Sequence, residues 1–297
     1  MSSSIRTFHL DRAGTSTGSS AMEAKDGRTV SVCIPCRDEA ATIGPLVTAI
    51  RDELVDGAGF VDELIVLDDR STDDTATVAA HAGARVVSID DVHASYGVGR
   101  GKGNALWASL LVSSGDVVVW CDGDVTSLEP EWIQKLALPI FADDTVALVK
   151  ALYDRPTSDG GGGRTTELVA RPMLSRWFPE LAEVAQPLAG EYAVRRSVVE
   201  RLTFEQGWGV EVGLLIDVAR TCGVDAVGQV DLGSRLHRHR SLQSLSVQAA
   251  EVMATILDRA GHADDRSGAP DLVRADGSSV PLNVERRRPI ASLRAAS

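Results

Sequence analysis

The sequence has few cysteines, and their spacing excludes the common zinc-binding modules. Among its 297 residues there are 4 cysteines, of which only Cys33 and Cys36 form a Cys-x-x-Cys pair. Cys121 and Cys222 stand alone, so the paired spacing of a zinc ribbon is missing. Cys33 lies inside an apolar run, which indicates a buried strand residue in a reduced, cytoplasmic protein.

The chain is also short of basic residues and of long hydrophobic runs. It has 30 Lys and Arg against 42 Asp and Glu, a net charge of -12, which argues against a nucleic-acid partner. No apolar run is long enough to span a bilayer, so we expect no membrane partner either. Hydrophobic residues make up 44% of the chain, which suffices for a sizeable core.

Short β-branched runs alternate with helix-like stretches along most of the chain. We predict flexible tails over 1–28 and 261–297, with Arg286, Arg287 and Arg288 forming a solvated charge cluster. The predicted strands cover 29–35, 63–67, 84–89, 116–120, 145–152, 190–195 and 226–232. This alternation predicts an α/β fold with a mostly parallel, Rossmann-like sheet that carries helices on both faces.

Three predicted strands end in polar residues, where open α/β sheets bind ligands. The segments are 35–39 (PCRDE), Asp68-Asp69 and Asp122-Gly123-Asp124. Helix caps or turns explain single carboxylates. Two carboxylates separated by glycine after the apolar run DVVVW can instead reach one hard cation such as Mg²⁺, which takes carboxylates together with substrate phosphates. A simple β-turn is the alternative at this triplet.

Other residues suggest that anions bind near these strand ends. The segment 99–104 (GRGKGN) precedes a helix, so it predicts a phosphate cradle with Lys102, or else a flexible connector. Arg164 and the run 235–240 (RLHRHR) indicate recognition of a compact anion, or else a salt-bridged surface. His237 is a candidate third metal ligand or a structural histidine. Glu211 either complements a helix dipole or faces a sugar.

These motifs together resemble a known enzyme family. Residues 32–39, 67–75 and 122–124 look like the nucleotide-sugar half of a GT-A glycosyltransferase. Gly101-Lys102-Gly103, residues 161–168, 186–192 and 209–217, and His237-Arg238 are similar to the glucosyl-3-phosphoglycerate and mannosyl-3-phosphoglycerate synthases of actinobacteria. The resemblance covers roughly residues 29 to 260.

The resemblance implies an activity and an organisation. It implies a retaining hexosyltransferase that moves a sugar from UDP-glucose, GDP-glucose or GDP-mannose to the 2-hydroxyl of 3-phospho-D-glycerate. It also implies Mg²⁺, or Mn²⁺ or Co²⁺ in its place, and a homodimer. The nucleotide-sugar-binding half would cover 29–150, and a smaller acceptor-binding half would cover 151–260.

The resemblance also implies roles for individual residues. The donor would be bound by Pro35, Glu39, Asp69, Lys102, Asp122 and Asp124. The acceptor would be bound by Gly163, Arg164, Thr166, His239 and Arg240. Asp124 and His237 would be the metal ligands, and Glu211 and Leu188 would face the sugar as catalytic residues.

Two departures from the family pattern leave the identity of the nucleotide-sugar donor open. Gly123 stands where serine is more familiar in the glucosyl enzymes, and Asp69-Arg70 stands where Ser-Gly is common. The alternative functions are a GT-A transferase with another acceptor and a non-catalytic nucleotide-sugar-binding protein. A nucleotidyltransferase is disfavoured, because residues 36–39 are not a glycine-rich phosphate loop.

Overall fold

Runs of Val, Ile and Leu form the strands of a central sheet, as β-branched residues do when a strand is buried. The computed structural model describes residues 5–10, 18–154, 163–234, 241–262 and 271–294. The strands in these ranges are β1 (Arg6–Phe8), β2 (Val30–Cys36), β3 (Glu63–Asp68), β4 (Arg85–Ser88), β5 (Val117–Trp120), β6 (Leu148–Asp154), β7 (Tyr192–Arg195), β8 (Phe204–Glu205), β9 (Val227–Ser234), β10 (Asp271–Val273), β11 (Ser279–Pro281) and β12 (Arg286–Arg287).

Helices fill most of the connections between these strands. Two of them are joined to π-helical turns, Arg51–Gly57 and Thr166–Ala170. The described helices are α1 (Gly18–Lys25), α2 (Ala40–Ile50), α3 (Thr75–Ala82), α4 (Ile89–Tyr96), α5 (Lys102–Val112), α6 (Glu131–Ala142), α7 (Arg171–Trp177), α8 (Arg196–Val199), α9 (Val210–Cys222), α10 (Leu242–Arg259) and α11 (Ile290–Arg294). No helix of the described ranges is long and apolar enough to cross a membrane.

The central sheet has eight strands and is mostly parallel, as the alternating pattern predicts. Its order is β1-β9-β6-β7-β5-β2-β3-β4. Within this sheet β7 runs antiparallel to both of its neighbours, β5 and β6, while the other recorded pairings are parallel. The carboxyl ends of β2, β3 and β5 therefore meet at one edge, which is where the sequence predicts a ligand site.

Alternate residues along each strand belong to two hydrophobic cores, one on each face of the sheet. Cys33, Trp120 and Tyr192 pack into one core, while Val32 and Val119 pack into the other. Helices α5 and α9 cover the first face, and α2 and α6 cover the second. This two-sided burial explains why the strands read as continuous apolar runs rather than as alternating ones.

Both predicted tails contain regular structure that packs on this framework. β1 pairs in parallel with β9, and the neighbouring Ile5 is buried. At the other end of the chain, Ile290 of α11 is buried in the core that contains Trp120. The predicted division near residue 150 lies within β6, and the two functional halves remain a prediction.

The interpretation of Arg286, Arg287 and Arg288 as a solvated cluster is wrong for the first two. Arg286 and Arg287 form β12, which pairs antiparallel with β8. The Arg286 Nε–H donates to Oε1 of the buried Glu205 over 2.8 Å. A buried carboxylate needs a cationic partner, so Arg286 pairs with Glu205 while 38% of the arginine side chain remains exposed.

Candidate functional site

A cleft of about 340 Å³ opens at the carboxyl ends of β2, β3 and β5. Two of its walls come from the segments that follow β2 and β5, and a third comes from the start of α5. Its lining residues are Pro35, Cys36, Arg37, Glu39, Asp69, Gly101, Lys102, Ala105, Asp122, Gly123, Asp124 and Trp208. All six residues predicted to bind the donor are in this set, so the structure brings them together, although their individual roles remain a prediction.

Close packing and a hydrogen bond from α2 help to hold the Asp122-Gly123-Asp124 turn in place. The Thr42 Oγ1–H of α2 donates to the Gly123 carbonyl over 2.7 Å. A Cβ at Gly123 would lie 2.6 Å from Cys36 Sγ, so only glycine lets the turn approach β2 this closely. Gly190 packs directly against the Asp122 carboxylate, where any side chain would overlap with it. The two aspartates are therefore fixed at the cleft before any ligand binds.

Lys102 opens helix α5 and supplies a cation inside the cleft. The preceding Gly101 has φ +94°, a conformation that favours glycine and lets the chain turn into the helix. The Lys102 ammonium lies 2.5 Å from Asp122 Oδ1 and 2.6 Å from Glu211 Oε1. Burial works against the charge, but the two carboxylates raise the pKa of Lys102 above its ordinary value. The two carboxylates thus favour the charged form of Lys102.

Glu211 forms an ion pair with Lys102 in addition to any interaction with the dipole of its own helix. It lies in the first turn of α9 with only 3% of its side chain exposed. An ion pair joins it to Lys102, which belongs to the cleft lining. The alternative that Glu211 merely complements a helix dipole is thus incomplete, because a buried carboxylate of this kind requires its cation.

Asp69 forms the far end of the cleft and is itself buried. Desolvation raises its pKa, and the neighbouring Arg70 guanidinium partly offsets that rise. Arg70 has φ +58°, which is unusual for a residue with a side chain, and its guanidinium also pairs with Asp90 over 2.8 Å. Such strain is typical of functional turns. The Asp69 carboxylate is held beside the Arg70 guanidinium, with 3.4 Å between Asp69 Oδ1 and the nearest guanidinium nitrogen.

One charged residue close to Lys102, Asp122 and Glu211 was not predicted from the sequence. Lys150 of β6 is fully buried, donates to the Ala189 carbonyl over 2.7 Å and lies 4.1 Å from the centre of the Tyr192 ring. Burial lowers the pKa of Lys150 to about 7, although Glu211 opposes that shift. The sequence contained a signal for this residue, because Lys150 stands inside the apolar run 145–152 and buried lysines are rare.

The described residues among those predicted to bind the acceptor, Gly163, Arg164 and Thr166, do not belong to the lining of the cleft. Gly163 has φ +84°, Arg164 is exposed, and Thr166 is buried at the start of the π-helical turn. Leu188 is half-buried against the core. The predicted residues His237, His239 and Arg240 lie outside the described residues. The grouping of an acceptor site therefore stays a prediction.

The carboxylates of the cleft suit a divalent cation. Mg²⁺ and Mn²⁺ prefer carboxylate and phosphate oxygens to nitrogen or sulfur ligands. Within the described ranges no group of three or more His, Cys, Asp or Glu side chains is arranged as a closed metal cage. Asp124 therefore fits an open site, in which a bound diphosphate would supply further oxygens.

Comparison with known proteins identifies the family. The model of glycosyl transferase family 2 matches residues 31–203, which include all six predicted donor residues. The chain belongs to this family. Within it, glucosyl-3-phosphoglycerate synthase of Mycolicibacterium paratuberculosis is 43% identical over 97% of this chain and 92% of the relative. The synthase of Mycobacterium tuberculosis is 44% identical over 91% of this chain and 88% of the relative.

Solved structures of family 2 members agree with this assignment. One structure of the Mycobacterium tuberculosis synthase holds Mn²⁺, UDP-glucose and phosphoglyceric acid; it superposes with a TM-score of 0.88 at 41% identity, over 97% of this chain and 99% of that one. Another holds Mn²⁺, UDP and glucosyl-3-phosphoglycerate, with a TM-score of 0.87 at 41% identity over the same shares of the two chains. The predicted fold, the resemblance and the glycosyltransferase class are confirmed.

Proposed function

We propose that the chain transfers glucose from UDP-glucose to the 2-hydroxyl of 3-phospho-D-glycerate with retention at the anomeric carbon. The observation that carries the proposal is the Lys102 ammonium inside a cleft that also presents Asp122 and Asp124. A sugar diphosphate needs both a cation and metal-binding oxygens, and this cleft supplies both. The relatives crystallised with UDP-glucose favour it over the two GDP sugars as donor.

The chain's own residues would act mainly by binding and charge stabilisation. Negative charge develops on the leaving diphosphate as the glycosidic bond breaks, and a fixed ammonium such as that of Lys102 stabilises it. A divalent cation held by Asp124, with His237 as the predicted further ligand, supplies additional Lewis-acid stabilisation when bound. Lys102 needs no reorganisation, because Asp122 and Glu211 already fix it in place.

Retention requires the acceptor hydroxyl to approach the face from which the diphosphate leaves. The anomeric carbon becomes oxocarbenium-like, as in glycoside hydrolysis. The departing phosphate oxygen can take the proton of the attacking hydroxyl, so the protein's remaining task is to hold the acceptor. Arg164 is the proposed phosphate clamp, together with Gly163, Thr166, His239 and Arg240. Leu188 and Glu211 are proposed to face the sugar.

A nucleotide-release assay tests this proposal. The protein is incubated with Mn²⁺, 3-phosphoglycerate, and UDP-glucose, GDP-glucose or GDP-mannose in turn, and free nucleoside diphosphate is measured. We expect fastest release from UDP-glucose, and only with acceptor and metal both present. Asp124→Asn should lower the rate roughly 100-fold, whereas Asp74→Asn, at an exposed helix start outside the cleft lining, should leave it unchanged. Release of nucleoside diphosphate at the same rate with and without 3-phosphoglycerate would contradict the proposal.

The assembly and location of the protein are proposed on the same basis. The resemblance implies a homodimer. The cytoplasmic location was predicted from the cysteines, and the buried thiols of Cys33, Cys36 and Cys121 agree with a reduced compartment. Sedimentation velocity at micromolar concentration should give the mass of two chains. A single-chain mass that persists at high concentration would contradict the dimer.

A further inference from the structure

The loop that precedes Lys102 is secured by residues far away in the sequence. We call residues 97–101 the glycine loop; Gly97 and Gly101 both have positive φ. The Arg287 guanidinium donates to the Tyr96 carbonyl over 3.0 Å and to the Gly97 carbonyl over 2.8 Å. The Asn283 side-chain amide donates to the Arg100 carbonyl over 2.6 Å. Backbone groups on both sides of the loop are thus satisfied from the C-terminal part of the chain.

Arg287 also grips the helix that carries Lys102. Its Nε–H donates to Asn104 Oδ1 over 2.8 Å, and its guanidinium lies 4.7 Å from the centre of the Trp107 ring. A guanidinium can make such forked and stacked contacts at once, whereas an ammonium cannot. Arg287 therefore ties the loop before Lys102 to the helical turn after it.

The segment around Arg287 is itself firmly anchored. We call residues 283–287 the C-terminal strap, which ends with β12 and before Arg288. Its Glu285 carbonyl accepts from the Gln206 N–H over 2.8 Å, and the Asn283 N–H donates to Glu251 Oε1 over 2.8 Å. The other oxygen of Glu251 accepts from the Trp208 N–H over 2.7 Å, and Trp208 lines the cleft. The strap therefore contacts the start of α5 directly and is linked to Trp208 through Glu251.

We propose that the C-terminal strap is a positioning element of the donor site and that Arg287 is its principal positioning residue. Glycine-rich loops lose much conformational entropy on ordering, so a loop that presents Lys102 at a fixed place needs outside restraint. The strap supplies that restraint from beyond residue 203, where the family match ends. The proposal rests on the proposed role of Lys102 at the donor diphosphate.

The test compares Arg287→Met with Arg288→Met. Methionine at 287 keeps an apolar contact with Trp107 but removes the forked donors. Arg288 is the control position because its side chain is exposed. We expect Arg287→Met to weaken UDP binding in Mn²⁺ about tenfold by calorimetry and to raise the KM for UDP-glucose to match, while the KM for 3-phosphoglycerate changes less than about twofold. Arg288→Met should match the wild type. Parallel rises in both KM values would indicate general damage and overturn the proposal.

A second measurement keeps the test independent of turnover. Asn283→Ala removes one bond to the glycine loop, and hydrogen exchange at residues 97–104 reports the order of the loop in each variant. We expect faster exchange there in both Arg287→Met and Asn283→Ala than in Arg288→Met. Unchanged exchange and unchanged UDP affinity in both variants would overturn the strap proposal. A wild-type protein that binds no UDP would instead overturn the proposed function. The hydrogen-exchange comparison would still test whether the strap orders the glycine loop.

Discussion

Lys102 is a structural cation and a proposed donor ligand at the same time. Its ammonium compensates Glu211, a buried carboxylate that would be costly to keep charged alone. The same ammonium lies beside Asp122 at the cleft, where a diphosphate would bring more negative charge. The sequence predicted Lys102 from the glycines around it, but Glu211 as its partner became visible only when α5 and α9 came together.

Lys150 shows what sequence reasoning leaves out at the residue scale. Its isolated position in an apolar strand was visible, but its neighbours come from other parts of the chain. Glu211, Glu191 and Asp122 favour its charge, and Lys102 opposes it. Burial outweighs the carboxylates and sets its pKa at about 7. Such an outcome depends on burial that only the folded chain defines.

Stability should therefore depend on pH through Lys150. The unfolded lysine keeps its proton up to its ordinary value of 10.5, whereas the folded one loses it above about 7. Between these limits the unfolded state binds more protons, so stability rises with pH. The free energy of unfolding of the wild type minus that of Lys150→Met should rise by about 1 kcal/mol per pH unit from pH 7 to 9. Urea titrations from pH 7 to 9 measure this difference in the free energy of unfolding. A difference that stays constant over that range would contradict the lowered pKa of Lys150.

At the scale of elements, the strands were predictable because they are apolar and β-branched. The run TVSVCIP became β2, and DVVVW became β5. The insertion of β7 between β5 and β6 was not predictable, because antiparallel pairing is decided by which neighbours the strand meets. The pairing of β12 with β8 was missed for the same reason, since Glu205 and Arg286 are 81 residues apart.

The segment that begins at Gly163 carries the acceptor prediction. Arg164 is exposed at the start of a helical segment, directly after the left-handed Gly163, which places it on the surface of the protein. Arg164→Ala should raise the KM for 3-phosphoglycerate at least about tenfold, because a charged hydrogen bond to phosphate is lost, and should leave UDP affinity unchanged. Steady-state kinetics with each substrate varied measure this.

The matched control for Arg164 is Arg176→Ala, an exposed arginine at the end of α7. We expect its kinetics to equal those of the wild type. If Arg164→Ala weakened the two substrates equally, the acceptor role would be wrong. The guanidinium would then act on the cleft as a whole.

At the scale of the whole molecule, the fold places three strand ends on one edge and packs the last described segment against β8 and the start of α5. The sheet and its acidic edge could be predicted from the sequence, since parallel strands bring their carboxyl ends together. The contributions of the two ends of the described chain could not be predicted, because Ile5, Arg287 and Ile290 contact residues that are far away in the sequence. Local sequence carries no signal for such contacts.

The structure of the reaction product tests the central claim most directly. UDP-glucose labelled with ¹³C in the sugar is incubated with 3-phosphoglycerate, Mn²⁺ and the protein, and the product is analysed by NMR and mass spectrometry. We predict one labelled product, with glucose joined to the 2-hydroxyl of 3-phosphoglycerate in the same anomeric configuration as the donor. Free labelled glucose, an inverted linkage or unreacted donor would contradict the account.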